Sequence, residues 1–402
     1  MQPSYLETKL DEPSGSPLPH AVNEQLLVSN CLESNPEANS DCTNRIVNLR
    51  NAVLILVVLT LAVCMEWRES GIISPHKNSD VVVPPFTEPI LEDDENLLSS
   101  PEFDKTHTLH EFCESNGECL SVKQSYRIHG DSIVGRRTVY YKKSDGYTLT
   151  EAQLETPKVL TRDYLDPLKW RINKTVILTK YNVVQVAAGF MIGPLSFNIS
   201  RPQRVLVIGL GAGSAANFFA SVPVNMSIYA VELEPSMVDI AKRFFDLEED
   251  EDLRVHIEDG SKFVKRAANK SAIYDSILLD ACSNNMKVPI VCPVEVFRSP
   301  EALENLSSII GPKGILSVNL VANKYEAETQ IKEIYMKHFR ECFSVDLDSQ
   351  EVLLCSNRND WSGDVWSRKK NEFSKNIRTL YSKMTMNVLR ELIIVQSGDQ
   401  LD

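Results

Sequence analysis

Three acidic residues and a cluster of glycines mark where chemistry could take place. Gly209, Gly211 and Gly213 stand in the run Gly209-Leu-Gly-Ala-Gly213, which follows the apolar segment Val205–Ile208 and precedes a helix-compatible stretch from Ser214 to Ala220. Glycines at a strand-to-helix junction permit a sharp turn and close backbone approach by a ligand. The bare amides at the helix start can receive a carboxylate. An ordinary tight turn would use the same pattern. Glu232 ends the next apolar segment, Ile228–Val231, where a carboxylate can accept both hydroxyls of a ribose. Dinucleotide enzymes place an acid similarly, so Glu232 does not discriminate alone. Asp259 and Gly260 follow a third segment, Leu253–Ile257, and a carboxylate there can accept the exocyclic N–H of an adenine. Asp280 closes a fourth segment, Tyr274–Leu279, with a helix cap or a loop ion pair as its plain alternative. No residue set has the spacing of a metal site.

The elements that must position these residues alternate along the chain. Helices fit Ser236 to Phe245, Ser261 to Ala268, Pro300 to Ile310 and Tyr325 to His338, and strands fit Gly314 to Leu320, Cys342 to Asp346 and Glu351 to Cys355. Short apolar runs alternating with helices are the signature of a doubly wound α/β sheet, whose ligands sit at the carboxyl ends of the strands. Upstream, Leu120 to Ile128, Gly135 to Lys142 and Tyr147 to Leu154 read as a small antiparallel sheet, with turns at Gly130 and Ser144-Asp145-Gly146. Asn182 to Ile192 reads as a helix with Val183, Val186, Ala187 and Phe190 on one face.

The whole chain has 402 residues, 43% hydrophobic content and a formal charge of −13. That suffices for one large domain with additions, and the lack of a basic stripe argues against a nucleic-acid partner. Residues 1–45 read as a disordered polar arm and residues 46–67 as a single transmembrane helix around the apolar run from Asn51 to Met65. An acidic, Pro-rich stalk over 68–107, a small β-subdomain over 108–180, the main domain over 181–358 and a C-terminal helix and tail over 359–402 complete the expected organisation. Arg45 and Arg50 precede the span, which predicts a cytosolic N-terminus and a luminal or extracellular large domain, with the membrane as a partner. Six cysteines follow the span, and three local pairs suggest themselves: Cys113 with Cys119, Cys282 with Cys292, and Cys342 with Cys355. Sequons at Asn173, Asn198, Asn225, Asn269 and Asn305 agree with a glycoprotein.

The strings Val-Ile-Gly-Leu-Gly-Ala-Gly-Ser (207–214), Ala-Val-Glu-Leu-Glu-Pro-Ser-Met (230–237), Val-His-Ile-Glu-Asp-Gly (255–260), Leu-Leu-Asp-Ala (278–281), Gly-Pro-Lys-Gly-Ile-Leu-Ser-Val-Asn-Leu (311–320) and Glu-Val-Leu-Leu-Cys (351–355) carry a resemblance. Together they resemble the spermidine synthase-like branch of the class I methyltransferases. The nearest likeness is to the C-terminal half of the dual-domain proteins that methylate a translation elongation factor. The resemblance implies a Rossmann-like methyltransferase sheet, S-adenosylmethionine as cofactor, and methyl transfer to a protein or small-molecule amine. It also implies roles: Gly209, Gly211 and Gly213 beneath the cofactor, Glu232 on its ribose, Asp259 and Gly260 beside its adenine, and Asp280 flanking the transfer site as the catalytic residue. A homodimer is compatible with it. Aminopropyl transferases of this branch carry a second acid three residues after the first, where this chain has Ser283, which disfavours polyamine synthesis. A catalytically inactive, membrane-tethered binding module of the same fold is the other alternative, since the cofactor's usual supply is cytosolic.

Overall fold

The structure, a computed structural model, describes residues 90–91, 97–113, 119–130, 132–142, 148–347, 350–382 and 385–397. A four-stranded antiparallel sheet comes first, with β1 His107–Cys113, β2 Cys119–His129, β3 Ser132–Tyr141 and β4 Thr148–Gln153 in spatial order. The helix α1, Lys180–Met191, then leads into the main sheet. There β5 Gln203–Ile208, α2 Ser214–Ser221, β6 Met226–Glu232, α3 Pro235–Phe244, β7 Leu253–Ile257, α4 Gly260–Asn269 and β8 Tyr274–Leu279 alternate as the sequence predicts. They are followed by β9 Ile290–Cys292, α5 Pro300–Ile309, β10 Ile310–Ala322, α6 Tyr325–Met336, β11 Glu341–Asp346 and β12 Glu351–Ser356. Two further helices, α7 Gly363–Ser382 and α8 Met386–Ser397, end the described chain.

The main sheet has eight strands in the order β11-β12-β10-β8-β5-β6-β7, with β9 paired to β10 off this path. From β10 to β7 the pairing is parallel, while β12 and β11 are antiparallel, so the sheet is mixed. Its central strands are apolar on both faces because helices cover both. Val205 and Val207 of β5 join a core with α1, α2 and α7, whereas Leu206 and Ile208 join a second core with α4, α5 and α6. This period-two split is why the run Val205–Ile208 lacks a polar alternation.

The small sheet packs on α3, burying Leu120, Val122, Val139 and Trp170 against Met237, Ile240 and Phe244. Arg137, almost fully buried, fixes that contact. Its guanidinium donates to the Gln124 side chain, to the carbonyl of Trp170 at 3.1 Å, and to the carbonyl of Phe244, the last residue of α3, at 2.6 Å. Burial lowers its pKa to about 10. That still leaves the group charged at neutral pH, which favours carbonyl acceptors at the end of a helix.

Two parts of the sequence reading require correction. The expected transmembrane helix is not among the elements of the structure: among the described residues no helix is long and apolar enough to cross a membrane. The longest, α7, spans 20 residues and carries Arg368, Lys369, Lys370, Glu372, Lys375 and Arg378. The proposed span, residues 46–67, lies outside the described residues. Its uncharged core from Asn51 to Met65 is shorter than the about 20 residues a bilayer requires. The structure therefore gives no support to the single-span anchor, the membrane as partner or the luminal or extracellular placement drawn from it. The second concerns a one-turn helix near the end of the stretch read as stalk and a strand at the start of the small β-subdomain, which the sequence reading did not place. Ser100 caps a one-turn helix at Pro101–Asp104 that buries Phe103, and β1 follows as a fourth strand. One aromatic in a polar run leaves no periodic signal. The three cysteine pairs suggested by spacing are all disulfides: Cys113–Cys119, Cys282–Cys292 and Cys342–Cys355.

Replacing Arg137 by Ala leaves buried carbonyls of the two layers unpaired, and urea unfolding should show a loss of about 3 kcal/mol. Arg137→Lys should recover less than half of it, because one ammonium cannot reproduce the planar fork.

Candidate functional site

A crevice of about 950 Å³ opens where β5, β6 and β8 end, roofed by Tyr141, Thr150 and Glu151 of the small sheet. Its floor is the glycine loop. Gly209, Gly211 and Gly213 all take positive φ, +88°, +53° and +85°. At Gly209 a Cβ would collide with the backbone carbonyl of Asp280, so this glycine is demanded by the packing of two strand ends. At Gly211 a Cβ would meet nothing within 4 Å, and the residue lines the crevice. The loop is thus shaped by neighbours at one glycine and left open toward the cavity at another. Gly213 is the N-cap of α2, and no side chain caps the first amides of that helix.

Glu232 is buried at the end of β6. One carboxylate oxygen accepts the amides of Leu210 and Gly211 at 2.9 and 3.2 Å, and the other accepts that of Glu234 at 3.0 Å. Burial pushes its pKa up, and these amides pull it back. Asp259 sits at the N-cap of α4 and accepts the amide and hydroxyl of Ser261 at 2.8 and 2.7 Å. Those hydrogen bonds hold its carboxyl below the usual range. Gly260 behaves differently from the loop glycines. A Cβ there would press on the Ile208 side chain at 2.7 Å and on the Phe297 ring at 3.1 Å, so its small size seats α4 on the sheet.

Asp280 follows β8, with its amide donating to the carbonyl of Ile208 at 2.8 Å. Its Oδ1 accepts Nδ2 of Asn319 at 2.7 Å. Burial pushes its pKa up to about 7, against hydrogen bonds from Asn319 and Tyr181 that lower it, and the Glu232 charge adds to the rise. Asp280 is neither a helix cap nor part of an ion pair among the described residues, which separates it from its plain alternatives. Ser283 sits at the crevice wall, but its hydroxyl accepts the amide of Asn285 at 3.1 Å, so it serves the loop and adds no charge.

Several lining residues escaped the sequence reading. Asn319 lies in β10, and Gln185 in α1 donates to the carbonyl of Ser317 at 3.2 Å. Gln185 Oε1 and Asn319 Oδ1 are buried with no hydrogen-bond partner among the described residues. The signal was present, since each is a lone amide within an apolar run, and a buried polar group is more informative than an exposed one. Tyr141 donates to Asn284 Oδ1 at 2.9 Å, tying the roof to the loop between Cys282 and Cys292. Among the described residues no group of acids, histidines or cysteines could hold a metal.

A mostly parallel sheet with an open glycine loop and carboxylates at three successive strand ends is the arrangement of a doubly wound α/β domain with its ligand crevice at the carboxyl edge. Residues 191–376 match the family model of the spermine/spermidine synthase domain. Over 170 residues the chain is 32% identical to the eEF1A lysine and N-terminal methyltransferase homolog of Drosophila melanogaster, covering 40% of this chain and 25% of that one. It is 29% identical over 200 residues to the polyamine aminopropyltransferase of Vibrio vulnificus, covering 50% and 61%. A crystal structure of human methyltransferase-like protein 13 with SAH covers 50% of this chain and 93% of that chain, at 22% identity and a TM-score of 0.44. The chain spans about a quarter of the length of the eEF1A methyltransferase homolog. The chain is thus similar over part of its length to the spermine/spermidine synthase domain and to eEF1A lysine and N-terminal methyltransferases.

The two glycine environments give opposite expectations. Gly209→Ala should cost about 3 kcal/mol in urea unfolding through collision and positive φ. Gly211→Val should cost about 1–2 kcal/mol, from φ alone, while weakening binding of S-adenosylhomocysteine by more than tenfold in calorimetry.

Proposed function

We propose that the crevice binds S-adenosylmethionine and that the chain transfers its methyl group to an amine of a protein or small molecule. The observation that carries this reading is Asp280, an acid raised toward neutrality at the wall of a crevice whose glycine floor is open. Its volume suits a nucleoside ligand together with part of an acceptor. Gly209, Gly211 and Gly213 would let the cofactor lie against bare backbone, and the α2 amides would receive its carboxylate. Glu232 would accept the ribose hydroxyls while staying anchored by the loop amides. Asp259 and Gly260 would border the adenine, with the exposed side chains of Leu233 and Val296 on the same rim. When bound, the cofactor supplies an electrophilic methyl carbon on a sulfonium.

The chain's own contribution would be alignment and proton handling. An amine must be neutral to attack, because an ammonium has no lone pair. Asp280 in its ionised form would accept a proton from the incoming amine and hold the nitrogen toward the methyl carbon. The N–C bond would form as the C–S bond breaks. Below about pH 7 the carboxyl carries its own proton and cannot accept another, so rate should rise with pH through that value. The relatives' printed names make eEF1A the first acceptor to try.

Calorimetric titration of the full chain with S-adenosylmethionine should give micromolar binding, about −8 kcal/mol, and absence of binding to folded protein would reject the reading. Glu232→Ala should weaken that binding at least tenfold. Asp280→Asn should bind normally yet lower methyl transfer from labelled cofactor to eEF1A by about a hundredfold or more. Binding without transfer to any amine would return the inactive-module alternative.

A further inference from the structure

The contacts around Asp280 reach further than the roles above. Asn319 Nδ2 lies 2.7 Å from Asp280 Oδ1, and the same nitrogen lies 3.7 Å from Cys282 Sγ and 3.9 Å from Cys292 Sγ. Cys282 Sγ in turn touches Asp280 Oδ1 at 3.5 Å. A disulfide sulfur has no hydrogen and only accepts weakly, so the amide nitrogen of Asn319 sits among three acceptors. Turned the other way, the carboxamide would set oxygen against oxygen. The disulfide closes the loop whose Ser283, Asn284 and Met286 line the crevice, and β9, which carries Cys292, pairs with β10 beyond Asn319. We propose that Asn319 is the positioning residue for Asp280, and that the Cys282–Cys292 disulfide fixes the orientation in which its carboxamide donates.

This rests on the crevice being the reaction site, with Asp280 acting there. Besides Asp280, the titratable groups facing the crevice are Glu232 at the end of β6 and Glu234 just after it, Asp259 before α4, Lys180 and Tyr181 on α1, and Tyr141 and Glu151 of the small sheet. Of these, Glu232 raises the Asp280 pKa and Tyr181 lowers it. Reduction by a dithiol would convert the bond to two thiols and oxidise the reagent. Cys282 would then gain an S–H able to donate to Asp280 in competition with Asn319.

The test reads Asp280 directly and needs no turnover. In the full chain labelled with ¹³C at aspartate carboxyls, the Asp280 resonance is identified by its loss in Asp280→Asn, and its titration midpoint is followed. Asn319→Leu should raise the midpoint by about one pH unit, the size of one lost hydrogen bond. Cys282→Ser with Cys292→Ser, or dithiothreitol on the unmodified chain, should also move it. An unmoved midpoint in folded Asn319→Leu overturns the proposal, and so does a midpoint indifferent to the state of the disulfide. If Asn319→Leu does not fold, the oxidised and reduced forms of the unmodified chain still decide. Failure of methyl transfer would leave these midpoints untouched, so the two readings fail separately.

Discussion

The parallel register of β5 against β8 is the constraint on which the rest depends. Ile208 lies opposite Leu279, so the two strands end together, and the next residues on each, Gly209 and Asp280, meet backbone to backbone. Only glycine fits that meeting, and the turn it allows carries the chain away from the sheet before α2 begins. Because β6 and β7 continue the same parallel alignment, their terminal acids come to the same edge without separate arrangement. One register therefore assembles a floor from one strand and a wall from another.

Electrostatics then divides the acids. Asp259 caps a helix and gains enough hydrogen bonds to remain easily ionised, while Asp280 has fewer donors and more desolvation. Burial raises Glu232 as well, and three backbone amides oppose that rise. Acids of nearly the same chemistry are thus pushed in different directions by their surroundings, which is how one crevice can serve both binding and proton transfer.

Much of this was legible in the sequence because period and punctuation agree in the main domain. The segments ending at Ile208, Val231 and Leu279 are too apolar for one-sided strands, Leu253–Ile257 alternates with Arg254 and His256, and each of the four is followed by glycine or an acid. The strands and helices predicted from them are present within a residue or two. What escaped was whatever sequence adjacency does not encode. Asn319 and Asp280 lie 39 positions apart and meet only because β10 lies beside β8. The strand His107–Cys113 has no fully buried residue, and its half-buried and exposed positions alternate too irregularly to announce it. The apolar run from Asn51 to Met65 shows the opposite fault: hydrophobicity alone, with no neighbouring pattern in the sequence to pair it with, suggests a bilayer by default.

The buried Arg137 has a mechanical consequence. It joins the small sheet to the end of α3 through charge-assisted hydrogen bonds made out of reach of water, and each such bond is worth about 1.5–3 kcal/mol. A hinge at that junction would have to break them together and leave a cation stranded. The roof over the crevice is therefore riveted rather than hinged where Arg137 holds it, and the space beneath it is set by that junction.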